Sequence, residues 1–125
     1  TQDREGFLWF GTRDGLNRFD GYAFKIFKHD LYDPAHTLPH NWVLDVIEAR
    51  DGTLWISTAG GLCRMDKRTG RVTSYRVDPK PGNEWDAGNQ LLEDRAGTIW
   101  MGSSRGLVRF DPRLHRLRLY PSPAR

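Results

Sequence analysis

Cysteine is nearly absent from this chain of 125 residues, because Cys63 is the only one. A single cysteine excludes an intrachain disulfide framework and a paired-cysteine metal knuckle, so we expect Cys63 to be a small packing residue. The chain also lacks an apolar run of about 18 residues, the length that a membrane-spanning helix requires. No export leader is visible, and since the chain opens at Thr1 inside a repeat, we expect targeting signals to lie elsewhere in a longer protein.

An excess of one charge is lacking as well. The 19 Lys and Arg residues nearly balance the 16 Asp and Glu residues, which leaves a net charge of +3. The charges are interspersed, and a solvated strand edge accounts for the one basic cluster. We therefore predict no nucleic-acid partner, even though that cluster brings together Arg113, His115, Arg116 and Arg118.

Glycine and aromatic residues are plentiful, with 13 Gly, 5 Trp, 4 Tyr and 6 Phe. This composition is typical of a folded chain of short strands joined by turns. One segment occurs three times, at residues 6–20, 52–66 and 97–111. Its tryptophans lie 46 and 45 residues apart, a period that belongs to four-stranded propeller blades or to helical arrays. The alternating β-formers and frequent glycines favour the blades.

Each repeat is predicted to form four antiparallel strands. In the second repeat these are residues 43–49, 54–58, 62–66 and 71–77, with Asp51-Gly52 as a tight two-residue hairpin turn. The same pattern predicts strands at 22–28, 90–94 and 117–120, and the first repeat lacks its first strand. The prediction is an all-β partial β-propeller of nearly three four-stranded antiparallel blades, about 11 strands in total.

The predicted boundaries describe a single propeller fragment over residues 1–125. Its repeats cover 1–28, 42–77 and 89–120, and the inter-blade linkers cover 29–41 and 78–88. Linkers of this kind cross the surface and are where variable function can lie.

The residues that recur in every repeat are interpreted as structural. The tryptophans are packing anchors, the glycines sit at hairpin turns, and each arginine shares a strand face with an aspartate two residues on. A local ion pair or a backbone-carbonyl bond is expected there, not a charged site. These residues are Trp9, Trp55, Trp100, Gly15, Gly61, Gly106, Arg18, Arg64 and Arg109.

We find no pattern that predicts catalysis. No nucleophile beside a base and no phosphate-binding glycine loop is present, so we predict no catalytic residue and no cofactor. His29, His36 and His40 share one loop with Asp30 and Asp33, but no fixed face aligns them. A solvated loop is therefore favoured over a metal site.

Ligand contacts, where they exist, are expected from non-repeating polar and aromatic residues in turns and linkers. The alternative for each is a surface loop or local packing. The candidates are Arg13, Asp14, Trp42, Trp85 and Arg105.

The repeats resemble the two-component regulator propeller family, whose blades read roughly D-x-x-G-x-L-W-x-G-T-x-x-G-L-x-R-F-D. Residues 3–20 match this pattern almost letter for letter. The departures, Ala49 for Asp, Ser57 for Gly and Ser103 for Thr, are interpreted as packing variation. The Asp-box of sialidases fits less well, because its aspartate lies one residue closer to the glycine.

The resemblance implies a non-enzymatic sensor region in the periplasm, belonging to a bacterial inner-membrane protein. A histidine kinase or diguanylate cyclase output, and any membrane contact, would lie outside this chain. It also implies a carbohydrate-like ligand. The alternatives are a protein-interaction or dimerisation scaffold without a ligand, and a propeller lyase or hydrolase. Because so few blades leave apolar faces uncovered, we expect a homodimer that completes a ring of about six blades.

Overall fold

The computed structural model describes residues 1–75, 88–103 and 106–121, and every regular element within them is a β-strand. The strands are short because a turn interrupts the chain every few residues. They are β1 (Leu8–Thr12), β2 (Gly15–Phe19), β3 (Phe24–Phe27), β4 (Val43–Glu48), β5 (Leu54–Thr58), β6 (Gly61–Met65), β7 (Val72–Tyr75), β8 (Gly88–Glu93), β9 (Ile99–Ser103), β10 (Gly106–Asp111) and β11 (Arg116–Pro121).

The strands form three antiparallel sheets in which chain neighbours pair in order. Sheet 1 contains β1–β3, sheet 2 contains β4–β7 and sheet 3 contains β8–β11. The inner strands β4 and β8 lie beside each other, and β1 lies next to β4 as its counterpart β5 lies next to β8. The predicted all-β partial propeller is confirmed, and in the described part of the chain its sheets do not close into a ring.

Strand β3 is shorter than the predicted 22–28. The cause is Asp20, whose Oδ1 atom accepts hydrogen bonds from the backbone N–H groups of Tyr22 and Ala23, both at 2.9 Å. An aspartate that binds the backbone two and three residues on holds the chain in a turn. The strand therefore begins only after this turn.

The hairpin at Asp51-Gly52 is longer than the predicted two-residue turn. The N–H group of Ala49 donates to the carbonyl of Thr53 at 2.8 Å, which leaves three residues in the loop. The N–H group of Gly52 donates back to the carbonyl of Ala49 at 2.9 Å, and Gly52 has a φ of 90°. A three-residue hairpin requires this left-handed conformation at its last position.

Each joint between successive sheets contains its own hydrophobic core. Because side chains alternate along a strand, Leu54 and Ile56 of β5 belong to the first core and Trp55 belongs to the second. The first core contains Trp9, Leu16, Leu38, Val43, Val46, Leu54, Ile56, Cys63, Met65 and Val72. The second contains Ala49, Trp55, Leu62, Tyr75, Leu91, Ile99, Met101, Val108, Phe110 and Leu117.

The indole N–H of the repeated tryptophan binds an aspartate in the first and third repeats. Trp9 Nε1 donates to Asp3 Oδ2 at 2.8 Å, and Trp100 Nε1 donates to Asp94 Oδ2 at 2.9 Å. Burial alone would raise the pKa of Asp3, but this bond, two backbone N–H groups and the nearby Lys67 lower it below its ordinary value. Asp3 is therefore held as a buried carboxylate.

In sheets 1 and 2, an arginine binds the hairpin of the next sheet. The Arg4 guanidinium donates to the carbonyls of residues 49–50 at 3.2 and 2.8 Å, and the Arg50 guanidinium donates to those of residues 94–95 at 2.9 and 2.8 Å. The backbone N–H groups of the same arginines donate to carboxylates of the next sheet, those of Glu48 and Glu93, both at 3.0 Å. The joints are thus polar where these hairpins lie and apolar along the length of the strands.

The two outer faces of the stack carry exposed apolar side chains. No further sheet covers them within the described residues. The exposed side chains are Phe10, Phe24 and Ile26 on sheet 1, and Leu92, Leu107 and Tyr120 on sheet 3.

Replacing Gly11 with alanine should destabilise the fold. A Cβ atom at Gly11 would lie 2.6 Å from Val43 Cγ1 and 3.1 Å from the Val43 carbonyl oxygen. Overpacking of this kind costs about 1–3 kcal/mol. The control is Gly102→Ala, because Gly102 occupies the same repeat position and a Cβ there meets no atom within 4 Å. Urea unfolding should show a loss for the first variant only, and equal losses would contradict the packing described.

Replacing Asp3 with asparagine should weaken the fold and change its response to acid. One oxygen cannot serve both Trp9 and the backbone donors, so we expect a loss of about 1–3 kcal/mol at pH 7. Because the folded-state pKa of Asp3 is lowered, its contribution is present above its ordinary pKa of 3.8 and is lost as the pH falls through the folded value.

The difference in unfolding free energy between the wild type and Asp3→Asn should therefore narrow at the acid end of a series from pH 7 to pH 3. Asp14→Asn, on an exposed turn, is the matched control and should follow the wild type. A difference between the wild type and Asp3→Asn that stays constant over this range would show that the Asp3 charge does not contribute.

Candidate functional site

Three connections lie at one end of the stack: the β1–β2 turn, the β5–β6 turn and the linker 29–42 that leads into β4. They share this end because Val43 at the start of β4 pairs with Thr58 at the end of β5. We call it the linker end. The loops 49–53 and 66–71 lie at the opposite end, which we call the hairpin end.

Arg13 and Trp42, two of the five predicted ligand-contact residues, meet at the linker end. The Arg13 guanidinium carbon lies 5.0 Å from the centroid of the Trp42 ring, within the range of a cation–π contact. Backbone hydrogen bonds fix both segments, from Gly15 N–H to the Asn41 carbonyl at 2.6 Å and from Ala59 N–H to the Trp42 carbonyl at 3.0 Å. Trp42 keeps 40% of its surface exposed, so part of the indole is accessible.

Asp14 lies beside this pair and is itself charged and exposed. Its Oδ1 atom lies 2.9 Å from Lys28 Nζ, in an ion pair that is open to solvent. The linker end therefore offers donors, acceptors and an aromatic surface within one turn and one linker. Trp85 and Arg105, the other two predicted contact residues, lie outside the described residues and stay predictions.

The repeated glycines of the β1–β2 turn and its two equivalents accept a side-chain hydrogen bond. The hydroxyls of Thr12, Thr58 and Ser103 donate to the carbonyls of Gly15, Gly61 and Gly106 at 3.0, 2.9 and 2.8 Å. The three glycines have φ values of 110°, 125° and 137°, which side-chain-bearing residues rarely adopt. Ser103 thus keeps the hydroxyl that this turn uses, which explains its place in the third repeat.

The repeated arginines contact tryptophan across the strand pair. Arg18 pairs with Trp9 and lies 5.9 Å from its ring centroid, and Arg64 pairs with Trp55 at 5.4 Å. The predicted ion pair with the aspartate two residues on occurs in the third repeat, where Arg109 Nη2 and Asp111 Oδ2 are 4.0 Å apart. Arg18 and Arg64 therefore cover tryptophan rings as well as carrying charge.

The linker histidines are engaged in local contacts. His29 Nδ1 lies 2.7 Å from a backbone carbonyl oxygen, and His36 Nδ1 lies 2.8 Å from Asp33 Oδ1. His40 Nδ1 accepts a bond from the backbone N–H of Trp42 at 3.0 Å. In residues 1–75, 88–103 and 106–121, no three such side chains come together as a metal-binding group.

A wide depression of about 540 Å³ lies beside the linker, and its apolar lining was not identified from the sequence. It is bounded by Phe27 and Leu38 and by Val72 of sheet 2. Leu31 and Tyr32 border it with 82% and 98% of their surfaces exposed. Two large exposed side chains in succession are the signal that could have drawn attention to this part of the linker.

The side chains whose pKa departs from its ordinary value lie in turns and in the joints between sheets. Backbone N–H groups lower the pKa of Asp20 and Asp111, and the hydroxyl and N–H of Thr53 lower the pKa of Asp51. A general acid at neutral pH needs a raised carboxyl pKa, so these carboxylates are poor candidates. Burial raises the pKa of the Cys63 thiol, which disfavours the nucleophilic thiolate.

The family model of the two component regulator propeller matches residues 37–60. Histidine kinase P4 of Formosa agariphila is 59% identical over 32 residues, which make up 26% of this chain and 2% of that protein. The chain thus spans a very small part of its curated relative. In the described residues, no helix is of a length and apolarity to cross a membrane.

Several solved structures share the fold, among them two that cover most of this chain. The extracellular domain of a proposed one component system from B. thetaiotaomicron has a TM-score of 0.73 and 23% identity, over 90% of this chain and 15% of that one. Virginiamycin B lyase from Staphylococcus aureus has a TM-score of 0.71 and 19% identity, over 99% and 40%. At these identities the likeness concerns the fold alone. Within this fold, the segment that matches the model of the two component regulator propeller family is residues 37–60.

Proposed function

We propose that this chain is part of a non-enzymatic sensory module of a bacterial signal-transduction protein, located outside the cytoplasm in the periplasm. Three observations support this proposal: the matched family is named for two component regulators, the curated relative is a histidine kinase, and one structural neighbour is an extracellular domain. Catalysis would belong to an output domain elsewhere in the protein.

The observation that carries ligand recognition is the exposed Arg13–Trp42 pair at the linker end. An indole surface flanked by charged donors and acceptors suits a carbohydrate-like ligand, because sugar rings stack on aromatics while their hydroxyls form hydrogen bonds. Asp14 supplies a carboxylate acceptor next to Arg13. The stacked sheets behind the pair supply a rigid support.

A second candidate function, a dimerisation scaffold, is favoured by the outer faces of the stack. Sheet 3 presents Trp100 outward, at the repeat position that Trp9 and Trp55 fill inside the two joints. Sheet 1 presents Phe10 outward, at the position of the buried Ile56. The outer face of sheet 3 therefore complements the outer face of sheet 1, as required for a head-to-tail dimer.

Ligand binding is tested by titrating neutral and acidic oligosaccharides while recording tryptophan fluorescence. We expect at least one to bind, and Trp42→Ala to weaken that binding by about tenfold or more, since stacking on an aromatic ring contributes on this scale. Tyr22→Ala is the matched control, because Tyr22 is 96% exposed and follows β2 at the hairpin end. Absence of any binding, or unchanged binding by Trp42→Ala, would reject a ligand site at Trp42.

Dimerisation is tested by light scattering at micromolar concentration. We expect the wild type to self-associate, and Leu107→Lys to give a smaller species because a charge would enter the contact between outer faces. Leu31→Lys, which adds the same charge on the linker, should leave the association unchanged. A stable, folded wild-type monomer would contradict the scaffold proposal and leave the ligand proposal standing.

A further inference from the structure

The first joint contains a partly buried ion cluster at the hairpin end. The Lys67 ammonium lies 2.7 Å from Glu5 Oε2 and 3.6 Å from Asp3 Oδ2, and it also bonds Glu48 Oε2. Burial alone would lower the pKa of Lys67, but the bonds to Glu48 and Glu5 raise it above its ordinary value. One ammonium thus neutralises carboxylates that belong to two different sheets.

The second joint lacks both the ammonium and the buried carboxylate of this cluster. The repeat register places Ala49 at the position of Asp3, and Pro112 at the position of Lys67. The two other acidic positions stay acidic in the second joint. They are Asp51, at the position of Glu5, and Glu93, at the position of Glu48.

A cleft of about 220 Å³ occupies this place between sheets 2 and 3. Glu93 Oε1 accepts the backbone N–H of Arg50, as Glu48 Oε1 accepts that of Arg4. Glu93 Oε2 therefore corresponds to the atom that receives Lys67 in the first joint. The cleft is lined, among others, by Ala49, Asp51, Trp55, Arg64, Glu93 and Pro112.

Trp55 has lost the acceptor that its counterparts use. Trp9 and Trp100 donate their indole N–H to Asp3 and Asp94. Trp55 lines the cleft and is only 3% exposed, and its Nε1 has no hydrogen-bond acceptor in the part of the chain that the structure describes. In the described residues, Trp55 Nε1 is not one of the fully buried unpaired atoms, so this donor is accessible to a water molecule or a ligand from the cleft.

We propose that this cleft binds a small zwitterion, a short-chain amino acid that carries one ammonium and one carboxylate. The ligand ammonium takes the place of the Lys67 group, between Asp51 and Glu93. The ligand carboxylate takes the place of the Asp3 group and accepts the indole N–H of Trp55. The 3.6 Å between Lys67 Nζ and Asp3 Oδ2 in the first joint sets the separation of the two charges, which a short carbon chain spans.

The charges favour a zwitterion over a simple cation or anion. One positive and one negative group are missing together, so a ligand without net charge restores the balance of the first joint. A lone amine would leave the Trp55 N–H without an acceptor. A lone carboxylate would face the carboxylates of Asp51 and Glu93. The arginines nearby already compensate those two groups, since Arg50 Nε lies 3.9 Å from Glu93 Oε1 and Arg64 contributes to the lowered pKa of Asp51.

This inference does not depend on a ligand at Trp42, because the cleft lies at the hairpin end and the Arg13–Trp42 pair lies at the linker end. Either ligand proposal can be wrong while the other is correct. Variants at the two sites distinguish the two outcomes.

Calorimetric titration of the 125-residue chain with glycine, β-alanine and γ-aminobutyrate tests the proposal. We expect at least one of these to bind about tenfold or more tightly than both propionate and propylamine, which carry one charge each. Ala49→Asp should abolish the difference, because the new carboxylate occupies the acceptor position at Trp55. Ala23→Asp adds the same charge at an exposed turn of the hairpin end and should bind as the wild type.

A second variant covers the case in which Ala49→Asp does not fold, as judged by circular dichroism. Glu93→Gln removes the charge that receives the ammonium but keeps an acceptor for Arg50, so binding should fall by about tenfold or more. The proposal is wrong if none of the three amino acids binds. It is also wrong if a single-charge compound binds as tightly, or if Glu93→Gln binds as the wild type does.

Discussion

The contact on which this structure depends is the burial of one indole ring between successive sheets. Trp9 is 1% exposed and belongs to the core shared by sheets 1 and 2, while its N–H binds a carboxylate of its own sheet. The ring supplies a large apolar area and the N–H sets its orientation. Because side chains alternate along β5, sheet 2 can receive Trp9 on one face and present Trp55 on the other.

The fold was predictable because the joint repeats, and a repeated physical requirement leaves a repeated sequence. The spacing of residues along one strand, however, does not show which residue of the neighbouring strand lies opposite each of them. The sequence therefore associated Arg18 with Asp20, two residues on, whereas the strand register places Arg18 opposite Trp9. Asp20 instead holds a turn, which also explains why the strand after it begins later than predicted.

The polar contacts between sheets were not predictable from the sequence. Arg4 binds groups 44 to 46 residues away, and Lys67 binds Glu5, 62 residues away. Nothing in the repeat of either residue identifies these partners. For the candidate ligand site, residue type was sufficient to select Arg13 and Trp42, but their contact depends on how the linker returns to β4. The chemistry of each side chain could be read from the sequence, but the distance between the elements that carry them could not.

The repeats also provide an internal reference for judging departures from the pattern. Ala49 alone, in place of an aspartate, is consistent with packing variation. The structure places it in the same cleft as Pro112, where the cation is also missing, while Glu93 keeps its carboxylate and Trp55 keeps its indole N–H. The second joint has thus lost one carboxylate and one cation, while it retains the polar groups beside them. Packing alone does not explain this, because an apolar joint would have replaced the retained groups as well. The second joint is therefore a modified copy of the first.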